Sequence, residues 1–144
     1  KKYNYLTLNK INELKKNNKL ELFSHVQIET FSKCNGVCNF CPVNRNVDPR
    51  DSELMTEETF FKIIDQLKEL NYKGLLSFFG NNEPFLDKRL VNYVSKSRKL
   101  LPNAIFSIYT NGTPLNVEKF ESIYEHLDEF GVDKMLEIAL YVMK

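Results

Sequence analysis

The sequence lacks several features that would assign it to a special class of protein. Its 144 residues include only five glycines and five prolines, which excludes a collagen repeat, a disordered tract and a low-complexity linker. An excess of one charge is also missing, because 20 basic and 19 acidic residues give a net charge of +1. Electrostatics therefore favour no nucleic acid or other polyanion as a partner. The remaining composition, 42% hydrophobic and 27% charged, is typical of one globular domain or part of one.

Long hydrophobic runs are absent as well. The longest, such as residues 75–79 (LLSFF), are far shorter than the roughly 20 residues that a membrane-spanning helix needs. We therefore expect no membrane partner. The chain begins Lys-Lys-Tyr-Asn, and no apolar segment of the signal-peptide kind follows. The compartment expected from the sequence is the cytoplasm.

Cysteine is scarce, but its distribution is informative. The three cysteines, Cys34, Cys38 and Cys41, lie close together in one short segment. A disulfide-stabilised protein has an even number of cysteines spread along the chain, and this odd, clustered set does not fit that pattern. In a reducing compartment such a cluster indicates a metal site.

Hydrophobic periodicity predicts that strands and helices alternate along the chain after a short N-terminal helix over residues 7–18. Strands are predicted over residues 20–30, 75–79 and 104–109, and the helices that follow them are predicted to be capped by Thr56, Asp87 and Asn116. Residues 135–142 fit either a further strand or a helix. The alternation indicates an α/β fold with a parallel sheet. We predict a single domain over residues 1–144, with the N-terminal helix in residues 1–20 and βα units in residues 21–144.

Three unusual loops each follow a predicted strand. They are the cysteine loop, residues 80–84 (GNNEP) and residues 110–112 (TNG). Ligands of parallel α/β proteins bind at the carboxyl ends of the strands, which meet at one edge of the sheet. We therefore expect the three loops to converge on one site.

The cysteine loop has the spacing C-x3-C-x2-C, in which thiolates can surround one small metal centre. Soft sulfur ligands select iron–sulfur clusters or zinc. Three thiolates are one ligand short of a closed zinc site or a fully ligated four-iron cluster, and an open coordination position suits a reactive centre. Two alternatives stay open at this point. One is a zinc site completed by His25 or His126, and the other is a set of inert buried thiols.

The same residues resemble a known family. C-x3-C-x2-C after a first strand, with an aromatic residue before the last cysteine, is similar to the cluster motif of the radical S-adenosylmethionine (SAM) superfamily. GNNEP and TNG follow in that superfamily's order, and the resemblance covers roughly residues 22–128. It implies a truncated partial TIM barrel in which Cys34, Cys38 and Cys41 ligate a [4Fe-4S] cluster. The fourth iron would bind SAM, whose reductive cleavage gives a 5′-deoxyadenosyl radical for hydrogen abstraction from a substrate.

The resemblance also implies roles for residues outside the cysteine loop. GNNEP is similar to the family's Gly-Gly-Glu-Pro segment, so Glu83 would bind the SAM amino group, with Gly80 and Asn82 in the same turn. Asparagine stands where the family usually has glycine, which leaves the contacts of this turn open. Phe40 would lie near the adenine, and Asn111 would line the pocket. No residue is assigned a catalytic role.

The function expected from the resemblance is therefore that of a radical SAM enzyme. It would act on a small-molecule or peptide substrate and take electrons from a donor such as flavodoxin or ferredoxin. The alternative is a noncatalytic α/β domain stabilised by zinc. The chain has fewer βα units than the family's core usually has, so we expect a fragment, to which a C-terminal extension with auxiliary clusters would belong. The isolated chain is expected to bind SAM weakly or not at all.

Overall fold

The computed structural model describes residues 23–132, together with Asn9, Asn12 and Lys16. Apart from those three helical residues, the helix predicted over residues 7–18 lies outside the described residues, and so does the element predicted over residues 135–142. Strands and helices alternate in the described part. They are β1 (His25–Gln27), α1 (Glu57–Glu69), β2 (Leu75–Ser77), a 3-10 helix (Pro84–Leu86), α2 (Leu90–Leu100), β3 (Ile105–Thr110), α3 (Val117–Tyr124) and β4 (Glu129–Val132).

The four strands form one parallel sheet in the order β1-β2-β3-β4. Ser77 of β2 lies between Gln27 of β1 and Ser107 of β3, and Tyr109 of β3 pairs with Gly131 of β4. Strands that are neighbours in the chain are thus neighbours in the sheet, and a helix connects each pair of successive strands. This confirms the predicted α/β class and its alternating βα units. Strands β1 and β2 have three residues each and are shorter than predicted, whereas β3 has the predicted six residues, displaced by one position.

The core is rich in aromatic side chains. Phe60 of α1 stacks on Tyr93 of α2 with the ring centroids 4.3 Å apart, and both side chains are fully buried. Phe78, which follows β2, packs edge-on against Phe106 of β3 at 5.0 Å. Burying such rings removes a large apolar area from water, which is the main stabilising contribution to folding. The helices are thereby fixed on the sheet, and the loops at the strand ends have a firm base.

The predicted cap of α2 is wrong. Thr56 and Asn116 cap α1 and α3 as predicted, since their side chains accept hydrogen bonds from the backbone N–H groups of Thr59 and Lys119. Asp87 lies three residues before the first residue of α2 and ends the 3-10 helix instead. Its carboxylate accepts hydrogen bonds from the backbone N–H and the guanidinium of Arg89, and it is Arg89 that stands at the N-cap position of α2.

Strand β4 was not predicted from the sequence. It contains Gly131, which weakens a strand signal because glycine has no side chain to pack. The structure shows why glycine lies there. A Cβ at residue 131 would overlap the ring of Tyr109 on the neighbouring strand, so glycine allows that ring to lie against the β4 backbone. No helix in the described part of the chain has the length and apolar character needed to span a membrane.

Candidate functional site

A cavity of about 680 Å³ opens where the cysteine loop meets the carboxyl ends of β2, β3 and β4. Every residue assigned to the site from the sequence lines this cavity: Cys34, Cys38, Cys41, Phe40, Gly80, Asn82, Glu83 and Asn111. Phe79, Tyr109, Thr110 and Val132 supply further parts of the wall. The expected convergence of the three loops is therefore confirmed. The particular role of each residue stays a prediction.

Asn44 holds the cysteine loop in shape. Its side-chain amide donates hydrogen bonds to the carbonyl oxygens of Cys38 at 3.3 Å and Cys41 at 3.2 Å. The backbone N–H of Cys41 also donates to the Cys38 carbonyl at 3.0 Å. Asn44 is buried, so these bonds are shielded from water. Sequence analysis missed this role, and the one signal for it was an asparagine three residues after the last cysteine.

Gly36 leaves room for the cysteine sulfurs. A Cβ at this position would lie 3.3 Å from the sulfur of Cys34 and 3.9 Å from that of Cys38. The backbone N–H of Gly36 donates to the Cys34 sulfur at 3.3 Å. A larger residue would crowd the space in which both thiols lie. Glycine at this position therefore allows the sulfur of Cys34 to approach the backbone closely.

The zinc alternative is not favoured. Within residues 23–132, no three His, Cys, Asp or Glu side chains are gathered closely enough to hold a single metal ion. Nor does either histidine line the cavity of the cysteines. His25 is hydrogen-bonded through Nε2 to the hydroxyl of Ser77 at 2.8 Å, and His126 lies 3.7 Å from the carboxylate of Glu125.

The three thiols are available to a group with several metal atoms. All three cysteines are free and half-buried, and they line the same cavity. Glycine at residue 36 leaves space beside the sulfurs of Cys34 and Cys38. Burial raises the pKa of Cys34, and it outweighs the hydrogen bond from Gly36, which acts in the opposite direction. The thiolate needed for ligation would then form as metal binds and releases the proton. Cys34, Cys38 and Cys41 are thus suited to hold an iron–sulfur cluster.

Glu83 is the most unusual charged residue of the site. Its side chain is only 1% exposed. Oε1 accepts hydrogen bonds from the Thr110 hydroxyl at 2.6 Å and the Phe85 backbone N–H at 3.0 Å, and Oε2 accepts one from the Asn111 backbone N–H at 2.7 Å. None of the ion pairs formed among the described residues includes Glu83. A carboxylate has about four acceptor positions, so Oε2 keeps one for a cationic group in the cavity.

Asn82 holds the turn in which asparagine replaces the family's glycine. Its side-chain N–H donates to the carbonyl of Phe31 at 2.9 Å, and its side-chain oxygen accepts from the backbone N–H of Gly80 at 3.0 Å. The backbone N–H of Glu83 in turn donates to the carbonyl of Lys33 at 3.0 Å. The turn is therefore attached directly to the segment that leads into the cysteine loop.

A charged network supports the same two loops from outside the cavity. Arg50 contacts the carboxylate of Asp48 at 3.0 Å, donates to the carbonyl of Asn81 at 2.7 Å and lies 3.4 Å from Glu29. Lys33 approaches Asp48 from the other end of the cysteine loop at 3.7 Å. The hydrogen bonds from Arg50 lower the pKa of Asp48 to about 2. Sequence analysis missed this network, because it joins residues far apart in the chain.

Comparisons with known proteins agree with this arrangement. Residues 28–139 match the profile of the radical SAM superfamily. The S-adenosyl-L-methionine-dependent 2-deoxy-scyllo-inosamine dehydrogenase of Niallia circulans is 31% identical over 116 residues, which are 81% of this chain and 44% of that protein. Among solved structures, BtrN in complex with AdoMet and 2-DOIA is 30% identical with a TM-score of 0.72, and the match covers 79% of this chain and 46% of that one. BtrN in an open conformation, as the selenomethionine protein, has a TM-score of 0.69 at 30% identity, over 79% of this chain and 51% of that one.

The chain belongs to the radical SAM superfamily. Its four-stranded parallel sheet with alternating helices is the fold of a partial TIM barrel, as the resemblance implied. The [4Fe-4S] cluster and SAM that we expected from the sequence are the cofactors of this family. The chain spans less than half the length of the curated relative that it matches. The prediction of a single domain over residues 1–144 stays a prediction.

Proposed function

We propose that this chain carries the cluster-binding and SAM-binding part of a radical SAM enzyme that acts on a small molecule. The observation that carries the proposal is the buried carboxylate of Glu83, which has no ion-pair partner among residues 23–132 and lies on the wall of the cavity that the three cysteines share. A buried charge without a counter-ion is costly. A ligand that brings a positive charge to this position is therefore favoured, and SAM carries an ammonium group.

The residues divide the binding between them. Cys34, Cys38 and Cys41 hold the cluster, and Glu83 binds the amino group of SAM through a charge-assisted hydrogen bond. When bound, the cluster and SAM together supply a strongly oxidising radical for abstracting hydrogen from an unactivated C–H bond. Thr110 and the backbone N–H groups of Phe85 and Asn111 hold the Glu83 carboxylate in place before the ligand arrives. This preorganisation avoids an ordering cost on binding.

Phe40 supports the proposal from the rim of the cavity. Its ring is 85% exposed although it lies beside the cysteines. An exposed aromatic ring on a cavity rim offers a flat apolar surface to a heteroaromatic group. We assign it to the adenine end of SAM, which would cover the ring and remove apolar area from water.

The proposed substrate is a small polar molecule. The relative in Niallia circulans is named for 2-deoxy-scyllo-inosamine, and BtrN was crystallised with 2-DOIA. The cavity of about 680 Å³ has room beside the thiols for groups of this size, with Phe79 and Tyr109 on its wall. We propose a small molecule and not a peptide as the substrate, a flavodoxin or ferredoxin as the electron donor, and the cytoplasm as the compartment.

The test is anaerobic reconstitution of the full-length protein with iron and sulfide. The wild-type protein should gain a broad absorbance at roughly 400 nm from sulfur-to-iron charge transfer, with about four irons and four sulfides for this cluster in addition to those of any auxiliary cluster in the C-terminal extension. After reduction with dithionite it should convert SAM to methionine and 5′-deoxyadenosine. Cys38→Ala should lose the share of the absorbance and of the iron that belongs to this cluster, and with it the reaction. Tight binding of one zinc ion with no cluster would contradict the proposal.

A matched variant separates the two binding steps. Glu83→Gln should assemble the cluster like the wild-type protein but bind SAM more weakly in calorimetry, because only the second step uses the carboxylate. Cluster assembly with unchanged SAM affinity would remove Glu83 from the proposal while leaving the cysteines in it.

A further inference from the structure

Asn111 connects the two halves of the proposed site. Its side-chain amide nitrogen donates to the side-chain oxygen of Asn35 at 2.8 Å and lies 3.7 Å from the sulfur of Cys34. Its backbone N–H donates to Oε2 of Glu83 at 2.7 Å. Its side-chain oxygen is used as well, since it accepts from the backbone N–H of Thr113 at 2.9 Å. One residue thus contacts a cysteine sulfur with its side chain and the buried carboxylate with its main chain.

The contact with sulfur distinguishes one cysteine from the others. The sulfur of Cys34 accepts from the Gly36 backbone N–H at 3.3 Å and from the Asn111 amide at 3.7 Å. The sulfurs of Cys38 and Cys41 accept no hydrogen bond from any group in the described part of the chain. The three thiols are therefore electrically unequal before any metal is bound.

We propose that Asn111 is a positioning residue that raises the reduction potential of the cluster through the sulfur of Cys34 and holds the cysteine loop in register with Glu83. This inference rests on the proposed function, because it requires the cysteines to ligate a cluster. It adds a specific role to a residue that the sequence assigned only to the lining of the pocket.

The physical reason is the direction of the N–H dipole. Reduction adds negative charge to a cluster, and part of that charge lies on the ligand sulfurs. An N–H group directed at a sulfur stabilises the reduced form more than the oxidised form, and so raises the potential. The cavity around Asn111 is partly shielded from water, which strengthens the effect of a single dipole. The backbone N–H of Thr113 donates to the side-chain oxygen of Asn111 and orients the amide, so the dipole keeps its direction.

The test is the midpoint potential of the cluster in the reconstituted full-length protein, measured by redox titration with detection of the reduced cluster by electron paramagnetic resonance. Asn111→Leu keeps the size of the side chain and the backbone N–H to Glu83 but removes the amide. We expect its potential to move to a more negative value at unchanged iron and sulfide content. Asn35→Ala is the matched control. It breaks the other bond of the same amide and leaves the contact with Cys34, so its potential should stay close to that of the wild-type protein.

A purely structural role for Asn111 would give a different result. Both variants would then lose iron in parallel, and whatever cluster they retained would have the wild-type potential. An unchanged potential in a fully loaded Asn111→Leu protein would also overturn the inference.

If Asn111→Leu does not take up a cluster, the wild-type protein decides. Labelling the asparagine side chains with nitrogen-15 should reveal, in pulsed electron paramagnetic resonance, a nitrogen coupled to the reduced cluster. That coupling should persist in Asn35→Ala, and its absence from the wild-type spectrum would overturn the inference. Failure of the wild-type protein to form a cluster would instead contradict the proposed function, so the two failures are distinguishable.

Discussion

The aromatic core and the rim of the cavity are stabilised by different interactions. The rim consists of the cysteine loop together with residues 80–84 and 110–112. In the core, Phe60 and Tyr93 are fully buried and contact mainly other apolar groups. At the rim, Glu83 is almost equally buried, but its carboxylate is held by directed hydrogen bonds. Apolar contact tolerates small displacements, whereas a buried carboxylate needs every donor in place. We infer that the core determines the stability of the fold and that the rim determines which ligand binds.

The largest expected effect is on the stability of the core. Phe60→Ala should lower the free energy of unfolding by about 3–5 kcal/mol, because it removes a buried ring and leaves a cavity between α1 and α2. Chemical denaturation of the apo-protein measures it. Phe40→Ala is the matched control, since that ring is exposed and should contribute little to stability. A loss below about 1 kcal/mol for Phe60→Ala would mean that this core is not tightly packed.

The core is also the part of the molecule that the sequence predicted best. Apolar residues at helical spacing predicted α1, and runs of apolar residues predicted β2 and β3, because local patterns report which face of an element is buried. Strand β4 escaped prediction because Gly131 fits a contact with Tyr109, and that contact is formed only by the tertiary structure. The lengths of β1 and β2 escaped for a similar reason, since the two short strands pair with each other over the same three residues and this pairing is set by the tertiary structure.

The rim was predicted in its residue types but not in its contacts. Cysteine spacing and the order of the loops identified Cys34, Glu83 and Asn111 as members of one site. No local pattern indicates that Thr110 donates to Glu83, which lies 27 residues before it in the chain. The same holds for the contact of Arg50 with Asn81, because long-range polar contacts depend on the finished fold.

The next largest expected effect is on the binding of SAM at the rim. Glu83→Gln keeps the shape of the side chain but loses its charge. In either orientation the new NH2 group faces a backbone N–H, that of Phe85 or that of Asn111. A charge-assisted hydrogen bond contributes about 1.5–3 kcal/mol, so the dissociation constant for SAM should rise by roughly 10- to 100-fold. Calorimetry on the reconstituted protein measures this.

Glu58→Gln is the control for that experiment. Glu58 is an exposed carboxylate in the first turn of α1, so its substitution removes the same charge without touching the cavity. An equal loss of SAM affinity in both variants would show that net charge, and not the buried carboxylate, controls binding.

A smaller effect is expected from removing the side chain of Asn82, which holds one turn of the rim. Asn82→Ala removes the bonds from its side chain to Phe31 and Gly80, and each such bond contributes about 0.5–1.5 kcal/mol. We expect a loss of about 1–2 kcal/mol in the free energy of unfolding and a weakening of SAM binding below that of Glu83→Gln. Asn81→Ala is the matched control. Asn81 is exposed and contributes only its backbone N–H and carbonyl to the bonds that hold the turn, so the substitution leaves those bonds in place. Equal effects of the two variants would contradict the assigned role of Asn82.

The smallest expected effect is a pH dependence in the network that supports the rim. The pKa of Asp48 lies at about 2 because of its hydrogen bonds with Arg50, below the ordinary value of 3.8. A pKa that is lower in the folded than in the unfolded protein gives stability above the ordinary pKa and loses it as the pH falls toward the folded value. The advantage of the wild-type apo-protein over Asp48→Asn should thus be constant above about pH 5 and shrink between about pH 4 and pH 2. It should be modest, because Arg50 is one-third exposed and solvent screens the pair.

Thermal unfolding of the apo-protein at a series of pH values measures this advantage, and Asp65→Asn, which alters an exposed carboxylate of α1, controls for the loss of a surface charge. If the two variants follow the same pH dependence, the network does not contribute through Asp48. If only Asp48→Asn departs from the wild-type curve above pH 4, the rim is stabilised by charge as well as by geometry. The core gives no such pH dependence in this range, because its stacked and edge-on rings carry no carboxylate. The pH profile therefore separates the two regions without removing an atom from either the cavity or the core.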